Sequence, residues 1–401
     1  MLTSLRASIA ALPLLVAVGC NPVTHVDDRQ VDGHAKPHSH KPVRKRACIE
    51  ELTASADPRL HALLRSLCAE WVQLEIPGIA LAVVSADPNV APFHIELGVR
   101  CFGQQAPVEA STLFRLGSIS KTITAALALG LVEEREDLQR TSDATLIEGF
   151  VSQAGLAPPQ LGALLRHTSG LGEIDPAKLV DLEGAWLPAL AQSPAAGSPD
   201  QHNYSNAGYS VVGAMLEAVT GRSFATLVDE RIAKPLGLRS LTAETGSPAA
   251  QAAACGHLAL DRDRHPILVT EDLDFIPGDP RWMTPAGGLL SSATDLAQFA
   301  LALGGPRLPG SVGMLERGDL LPPERVHSGH RDERYGQGLR SWALEGEIRA
   351  FAHSGNNGDF AAELLLVPER RAIVILSNRG VELPATLAAA EALLREPIGS
   401  F

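Results

Sequence analysis

The sequence predicts a mixed α+β fold, in which one β-sheet is completed by distant parts of the chain and holds an inserted helical subdomain. Three observations predict it. Short apolar or alternating runs bounded by turn residues occur near both ends of the folding region, helical periodicity and loops dominate the roughly 200 residues between them, and no fixed-period repeat points to a solenoid or propeller. The chain has 401 residues, 45% of them hydrophobic and 20% charged, which is ample for one large core and is not the composition of a disordered protein.

The first residues are organised differently. One base, Arg6, precedes an apolar run from Ile9 to Val18 that ends Ala17-Val18-Gly19-Cys20. The run is too short for a membrane span and has the grammar of a secretory signal. The cysteine after small residues resembles a bacterial lipobox, which implies acylation of Cys20, and Asn21 resembles the sorting residue of outer-membrane lipoproteins. Residues 21–47 are polar, with His25, His34, His38 and His40 ahead of the basic cluster Lys41 to Arg46, and read as a solvated tether. That cluster is placed to rest on anionic headgroups. The expected organisation is a signal peptide at 1–20, a tether at 21–47 and one folded domain at 48–401, with an all-helical subdomain inserted at about 120–300.

Within the domain, Leu60, Leu63, Leu64, Leu67 and Trp71 at helical spacing predict an amphipathic helix over 58–74, stopped by Pro77-Gly78. Ile79 to Val84 and Phe93 to Val99 predict a hairpin. Leu339 to Ala352, Phe360 to Val367 and Ala372 to Leu376 predict three strands, and Leu383 to Arg395 a closing helix. Cys48, Cys68, Cys101 and Cys255 allow three full pairings, and none has the CxxC spacing of a zinc or redox site. Residues 48–401 carry 43 acids and 27 bases, a net −16, so a nucleic-acid partner is not expected.

The nucleophile-elbow, zincin, P-loop and Rossmann signatures are all missing. What occurs is Ser118-Ile-Ser-Lys121 at the start of a helix predicted over 119–133. Residues three apart share a helix face, so the Lys121 amine lies beside the Ser118 hydroxyl. A serine becomes a useful nucleophile when a neighbour takes its proton, and a buried lysine with a lowered pKa can do so. Alone, this motif is weak, since a serine N-cap and a solvated lysine would look the same. Tyr204-Ser-Asn206 strengthens it with a phenol to shuttle protons and an amide to hold a substrate carbonyl. His-Ser-Gly, a hydrogen-bonding residue followed by small ones, occurs at His327 and His353. The second, His353-Ser354-Gly355, ends a strand-like run and is the better candidate; His327 lies in an evident loop.

With these three elements the chain resembles the serine β-lactamase-like family of class C β-lactamases, D-alanyl-D-alanine carboxypeptidases, D-aminopeptidases and related esterases. Ile76 to Val84, Leu164-Leu-Arg-His-Thr-Ser-Gly-Leu171, Pro235-Leu-Gly-Leu238, Pro285-Ala-Gly-Gly-Leu289 and Tyr335-Gly-Gln-Gly338 match as well. The resemblance implies an antiparallel sheet flanked by terminal helices, with Ser118 at the junction with the helical subdomain. It also implies acyl transfer through Ser118, Lys121 and Tyr204, with His353 completing the catalytic set. Asn206, Ser354, Gly355 and Asn356 would then contact substrate, and the backbone N–H groups of Ser118 and Asn356 would form the oxyanion hole. His167 belongs to a stretch that is structural in the family and is left out of the catalytic set.

The departure is His353, where β-lactamases of the family carry lysine. It places an ester or amide substrate first, D-Ala-D-Ala carboxypeptidase activity second and β-lactamase activity third. The expected partners are a small-molecule or peptide substrate and, through Cys20, the cell-envelope membrane; no metal or other cofactor is called for. A catalytically inactive homologue that binds peptidoglycan or a protein is the rival from another class. Intact Ser118, Lys121 and Tyr204 argue against it.

Overall fold

The structure is a computed structural model that describes residues 41–134, 160–173, 200–243, 253–260, 266–268, 282–308, 310–316, 318–321, 330–346 and 348–396. Cys20, the tether histidines and His327 lie outside the described residues.

Helix α1 (Lys41–Ser55) and helix α2 (His61–Gln73) lead into strands β1 (Gly78–Ser85), β2 (Phe93–Gly98) and the short β3 (Phe114–Arg115). The subdomain contributes α3 (Ser120–Glu134), α4 (Leu161–Leu165), α5 (Asn206–Thr220), β4 (His257–Leu260), β5 (Pro266–Leu268), β6 (Leu290–Ser291) and α6 (Ala293–Ala302). The chain then returns as β7 (Asp319–Leu320), β8 (Arg334–Tyr335), β9 (Arg340–Glu345), β10 (Ile348–Asn356), β11 (Ala361–Val367) and β12 (Arg371–Ser377), and closes with α7 (Pro384–Arg395).

One sheet runs β2-β1-β12-β11-β10-β9-β8-β7, antiparallel throughout, so the two ends of the folding region meet within it where β1 pairs β12, the second and third of its eight strands. Every residue of β1 and β12 is buried, as their unbroken apolar runs require of strands covered on both faces. Alternation divides the core. Ile79, Leu81, Ala350, Ala352, Leu365 and Ile375 pack under α2 and α7, whereas Ala80, Phe351, Leu364, Val374 and Leu376 pack against the subdomain helices α3, α5 and α6. On the α2 side, the buried Glu70 accepts from Ala385 N and Thr386 N, both at 2.9 Å, and from Thr386 Oγ1 at 2.6 Å, and so satisfies the orphan donors at the start of α7.

Three features differ from the sequence-based expectation, and the cysteine pairing it left open is now fixed. The run Leu339 to Ala352 is a hairpin, β9 and β10, because Gly346 at φ 54° turns the chain between them. The tether's basic cluster lies within α1, which a Cys48–Cys68 disulfide fastens to α2. Cys101 bonds Cys255, so the structure selects one of the three pairings. The subdomain also contains two-stranded pieces: β3 pairs β6 where the chain leaves and rejoins the sheet, and β4 pairs β5.

Candidate active site

Ser118 sits in a 3₁₀ turn, Gly117–Ile119, that feeds directly into α3. The first turns of α3 are buried all round, Ser120 to Ala128, and Lys121 is carried inward with them to 0% exposure while Ser118 stays partly open. The Lys121 Nζ then has three acceptors: Ser118 Oγ at 3.1 Å, Asn206 Oδ1 at 2.6 Å and the Ala286 carbonyl at 2.7 Å. Ala286 lies in a π turn, Thr284–Gly288, held against α3 by Thr124 Oγ1 donating to the Pro285 carbonyl at 2.7 Å and Leu289 N donating to Ser120 Oγ at 3.1 Å.

Burial without a carboxylate in contact pushes the Lys121 amine down to about 7, against a smaller upward pull from Glu173. Near neutrality a large share of it is therefore the free amine. An –NH₂ group keeps two donors, which the two shorter bonds to Asn206 and Ala286 use, and its lone pair is left facing Ser118 Oγ.

Asn206 is fixed by opposite neighbours. Its carbonyl oxygen faces the lysine, and its Nδ2 donates to Glu173 Oε2 at 3.3 Å while its backbone N donates to Glu173 Oε1 at 2.7 Å. This arrangement sets the amide orientation. Asn206 is also the first residue of α5; the cap itself is Ser205, whose Oγ accepts from Gly208 N at 3.1 Å. Tyr204 precedes the cap, with its phenol hydrogen-bonded to Ser118 and its ring 4.8 Å from Lys121 Nζ. Desolvation raises its pKa well above 10, so it stays a neutral phenol.

His167, set aside by the sequence reading as structural, clamps Tyr204 from three sides. Its carbonyl accepts from Asn203 N at 2.7 Å, its Nδ1 accepts from Ser205 N at 3.1 Å, and its ring lies 4.2 Å from that of Tyr204. Burial holds its pKa well below 6.5, so the ring is neutral, and with Nδ1 an acceptor the proton is on Nε2, donated to Tyr335 Oη at 3.2 Å. Tyr335 Oη also bonds His353 Nε2 at 2.9 Å. All three tyrosines of the chain, Tyr204, Tyr209 and Tyr335, lie around His167.

The β10 residues divide by strand alternation. His353 points to the subdomain side, in phase with Phe351, but is buried, with Nδ1 on the Ser354 carbonyl at 2.7 Å and Nε2 on Tyr335. Ser354 faces the other side, in phase with Ala350 and Ala352, and its Oγ donates to Glu363 Oε2 at 2.8 Å. A Cβ on Gly355 would lie 2.0 Å from the Leu116 carbonyl oxygen and 3.2 Å from Ser118 N, and one on Gly117, at φ +51°, would lie 2.8 Å from Asn356 N. These two glycines let the backbone around Ser118 and the backbone around Asn356 close on each other. Among the described residues, no group of three or more His, Cys, Asp or Glu side chains is placed to hold a metal ion.

The structure thus gathers Ser118, Lys121, Tyr204, Asn206, Gly355 and Asn356, and turns the rings and hydroxyls of His353 and Ser354 into internal hydrogen bonds. Sequence reading missed Glu173 and the Ala286 carbonyl. Glu173 lies in no motif, and Ala286, although within the matched Pro285-Ala-Gly-Gly-Leu289 stretch, shows its role only through a fold-made contact with Lys121.

Residues 46–396 match the model of the Beta-lactamase family. Penicillin-binding protein 4 of Amycolatopsis lactamdurans is 28% identical over 322 residues, covering 76% of this chain and 82% of its own. A beta-lactamase of Providencia stuartii is 24% identical over 371 residues, covering 81% and 88%. The crystal structure of D-alanine carboxypeptidase AmpC from Burkholderia cenocepacia superposes with a TM-score of 0.65 at 22% identity, over 85% of this chain and 99% of that one.

Proposed function

The chain belongs to the Beta-lactamase family and is a serine hydrolase of that family; on this premise we propose that it is a cell-envelope enzyme that cleaves an ester or amide through an acyl-enzyme on Ser118. The observation that carries the reading is the Lys121 amine, fully buried, 3.1 Å from Ser118 Oγ and held by two other acceptors. The neutral amine takes the Ser118 proton as Oγ attacks the carbonyl carbon. The carbonyl oxygen, as it becomes negative, is met by the N–H groups of Ser118 and Asn356. Tyr204, a neutral phenol bonded to Ser118, relays a proton to the departing group, and water then cleaves the ester on Ser118 with Lys121 again as base.

Two features bear on the substrate. Both ring nitrogens of His353 are engaged internally, so the imidazole offers a substrate carboxylate no fixed cation. This supports an ester or amide substrate ahead of D-alanyl-D-alanine peptides, and those ahead of β-lactams. The two disulfides suit an oxidising compartment and so support export, with Cys20 as the proposed lipid anchor.

The test treats purified protein and Ser118→Ala with a fluorophosphonate probe and with fluorescent penicillin. Labelling of the wild type alone is expected with the fluorophosphonate. Equal behaviour of both proteins toward both probes, with no turnover of an activated ester, would overturn the acyl-enzyme. Loss of fatty-acid labelling in Cys20→Ala is the expected result for the anchor.

A further inference from the structure

We infer that His257 is a positioning residue that holds the backbone of Asn356 against the Ser118 turn, acting through the turn between β10 and β11; the inference rests on the oxyanion role proposed above for the Asn356 N–H. His257 opens β4 and is fully buried. Its Nε2 accepts from Phe102 N at 3.1 Å, so the ring proton is on Nδ1, which donates to the Asn378 carbonyl at 2.8 Å. Burial holds its pKa below 6.5, and the ring is neutral, as this pair of bonds requires. Neither ring bond goes to the catalytic set, so the effect of His257 on the reaction must pass through its neighbours.

Both ends of the ring are fastened to fixed parts of the molecule. Asn378, just past β12, is tied to the start of β1: Gly78 N donates to its Oδ1 at 2.7 Å, its own N donates to the Gly78 carbonyl at 3.1 Å, and its Nδ2 donates to the Arg100 carbonyl at 2.8 Å. Phe102 follows Cys101, whose disulfide to Cys255 joins the two segments that the ring also bridges. From this anchored position the main chain reaches the turn. His257 N donates to the Asp359 carbonyl at 3.1 Å, and Gly256 lies so close to Asp359 that a Cβ there would stand 2.1 Å from its Oδ2. The turn is itself tight, with Gly358 N donating to Asn356 Oδ1 at 2.6 Å and Asn357 N to the Phe360 carbonyl at 3.2 Å. A shift of Asp359 is therefore passed on to Asn356. Asn356 has little room to absorb it, since its N lies 2.8 Å from where a Gly117 Cβ would be. A donor moved off line loses much of its value to a developing oxyanion, because hydrogen bonds weaken steeply with angle.

The experiment follows fluorophosphonate labelling in the full-length protein and in His257→Leu, His257→Gln and Gly256→Ala. The phosphoryl oxygen gains negative charge as Ser118 Oγ attacks, so the labelling rate reads the same donors, while the labelled fraction at the end point counts the folded molecules. Leucine removes both ring bonds and is expected to slow labelling per folded molecule about ten-fold or more; glutamine, with one donor and one acceptor, should be several-fold faster than leucine. Gly256→Ala keeps the ring and displaces Asp359, and is expected to slow labelling as well. With an activated ester the loss should fall on kcat, with KM within about two-fold of the wild type and the acid limb near pH 7 in place, because Lys121 is untouched. A wild-type labelling rate in His257→Leu, a glutamine variant no faster than the leucine one, or a loss carried by KM would each overturn the assignment of His257. Should His257→Leu fail to fold, a wild-type rate in Gly256→Ala would overturn it. Labelling that persists in Ser118→Ala would overturn the acyl-enzyme beneath it instead.

Discussion

Glu70 and Lys121 are both buried charges, on opposite sides of the same sheet, and the fold treats them in opposite ways. Glu70 meets three donors at the start of α7, two of them backbone N–H groups of a helix whose dipole favours an anion. Lys121 meets three neutral oxygens and no carboxylate in contact, and its proton is loosened to about 7. The difference teaches what burial is for on each side. A buried charge matched to its partners ties two helices together, whereas one matched only to neutral acceptors becomes a base.

The sharpest way to break this comparison is Lys121→Met. Activity is expected to fall about a thousand-fold or more, because the proton acceptor is gone. Stability is expected to move the other way. The unfolded chain keeps the lysine proton to near the ordinary value of 10.5 and the folded one releases it near 7, so folding bears the full cost of the buried charge below pH 7 and sheds it as pH rises toward 10.5. The gain in Tm should thus be large at pH 6 and shrink at pH 9; a gain independent of pH would mean that Lys121 is not titrating.

On the other side, Glu70→Ala leaves three buried donors without their acceptor, and a loss of about 2–4 kcal/mol is expected in denaturant melts. The activity of the molecules still folded should persist, since Glu70 touches only α7 among its bonded partners.

His353→Gln probes a residue that lies between these extremes. Bonded to Tyr335 and the Ser354 carbonyl, it is expected to cost about ten-fold in kcat through the packing around Tyr204, with little change in KM. A thousand-fold loss carried by KM would mean instead that the imidazole contacts substrate.

The smallest effect expected is on the pH profile. kcat/KM should rise through an acid limb near pH 7 as Lys121 loses its proton. Glu173→Gln, which removes the charge that favours the ammonium, should move that limb to lower pH. A limb that stays in place would separate Glu173 from the base.

Much of the fold was legible because its elements are written in local periods. The continuous apolar runs of β1 and β12 and the spacing of Leu63, Leu64 and Leu67 follow from strand and helix geometry. Ser118 and Lys121 were legible for the same reason, since a helix puts residues three apart on one face. The Leu339 to Ala352 run was misread as one strand because its turn is short, and a single glycine at positive φ carries it. Asn206 was read as an amide that holds a substrate carbonyl; that its carbonyl oxygen also holds Lys121, while Ser205 caps the helix, is a contact no local pattern shows.

By itself, then, the sequence determined which residues could do the chemistry, because helix period and residue type are local properties. Only the tertiary structure decided what each of them faces. Lys121 is a base because an α3 buried on all sides and the Ala286 carbonyl, 165 residues away, strip it of water without giving it a counter-charge. His353 turns inward because the alternation of β10 aims it at Tyr335, and Glu173 enters the site because the start of α5 brings Asn206 to it. Desolvation and contact between distant segments are properties of the packed chain, and no local pattern encodes them.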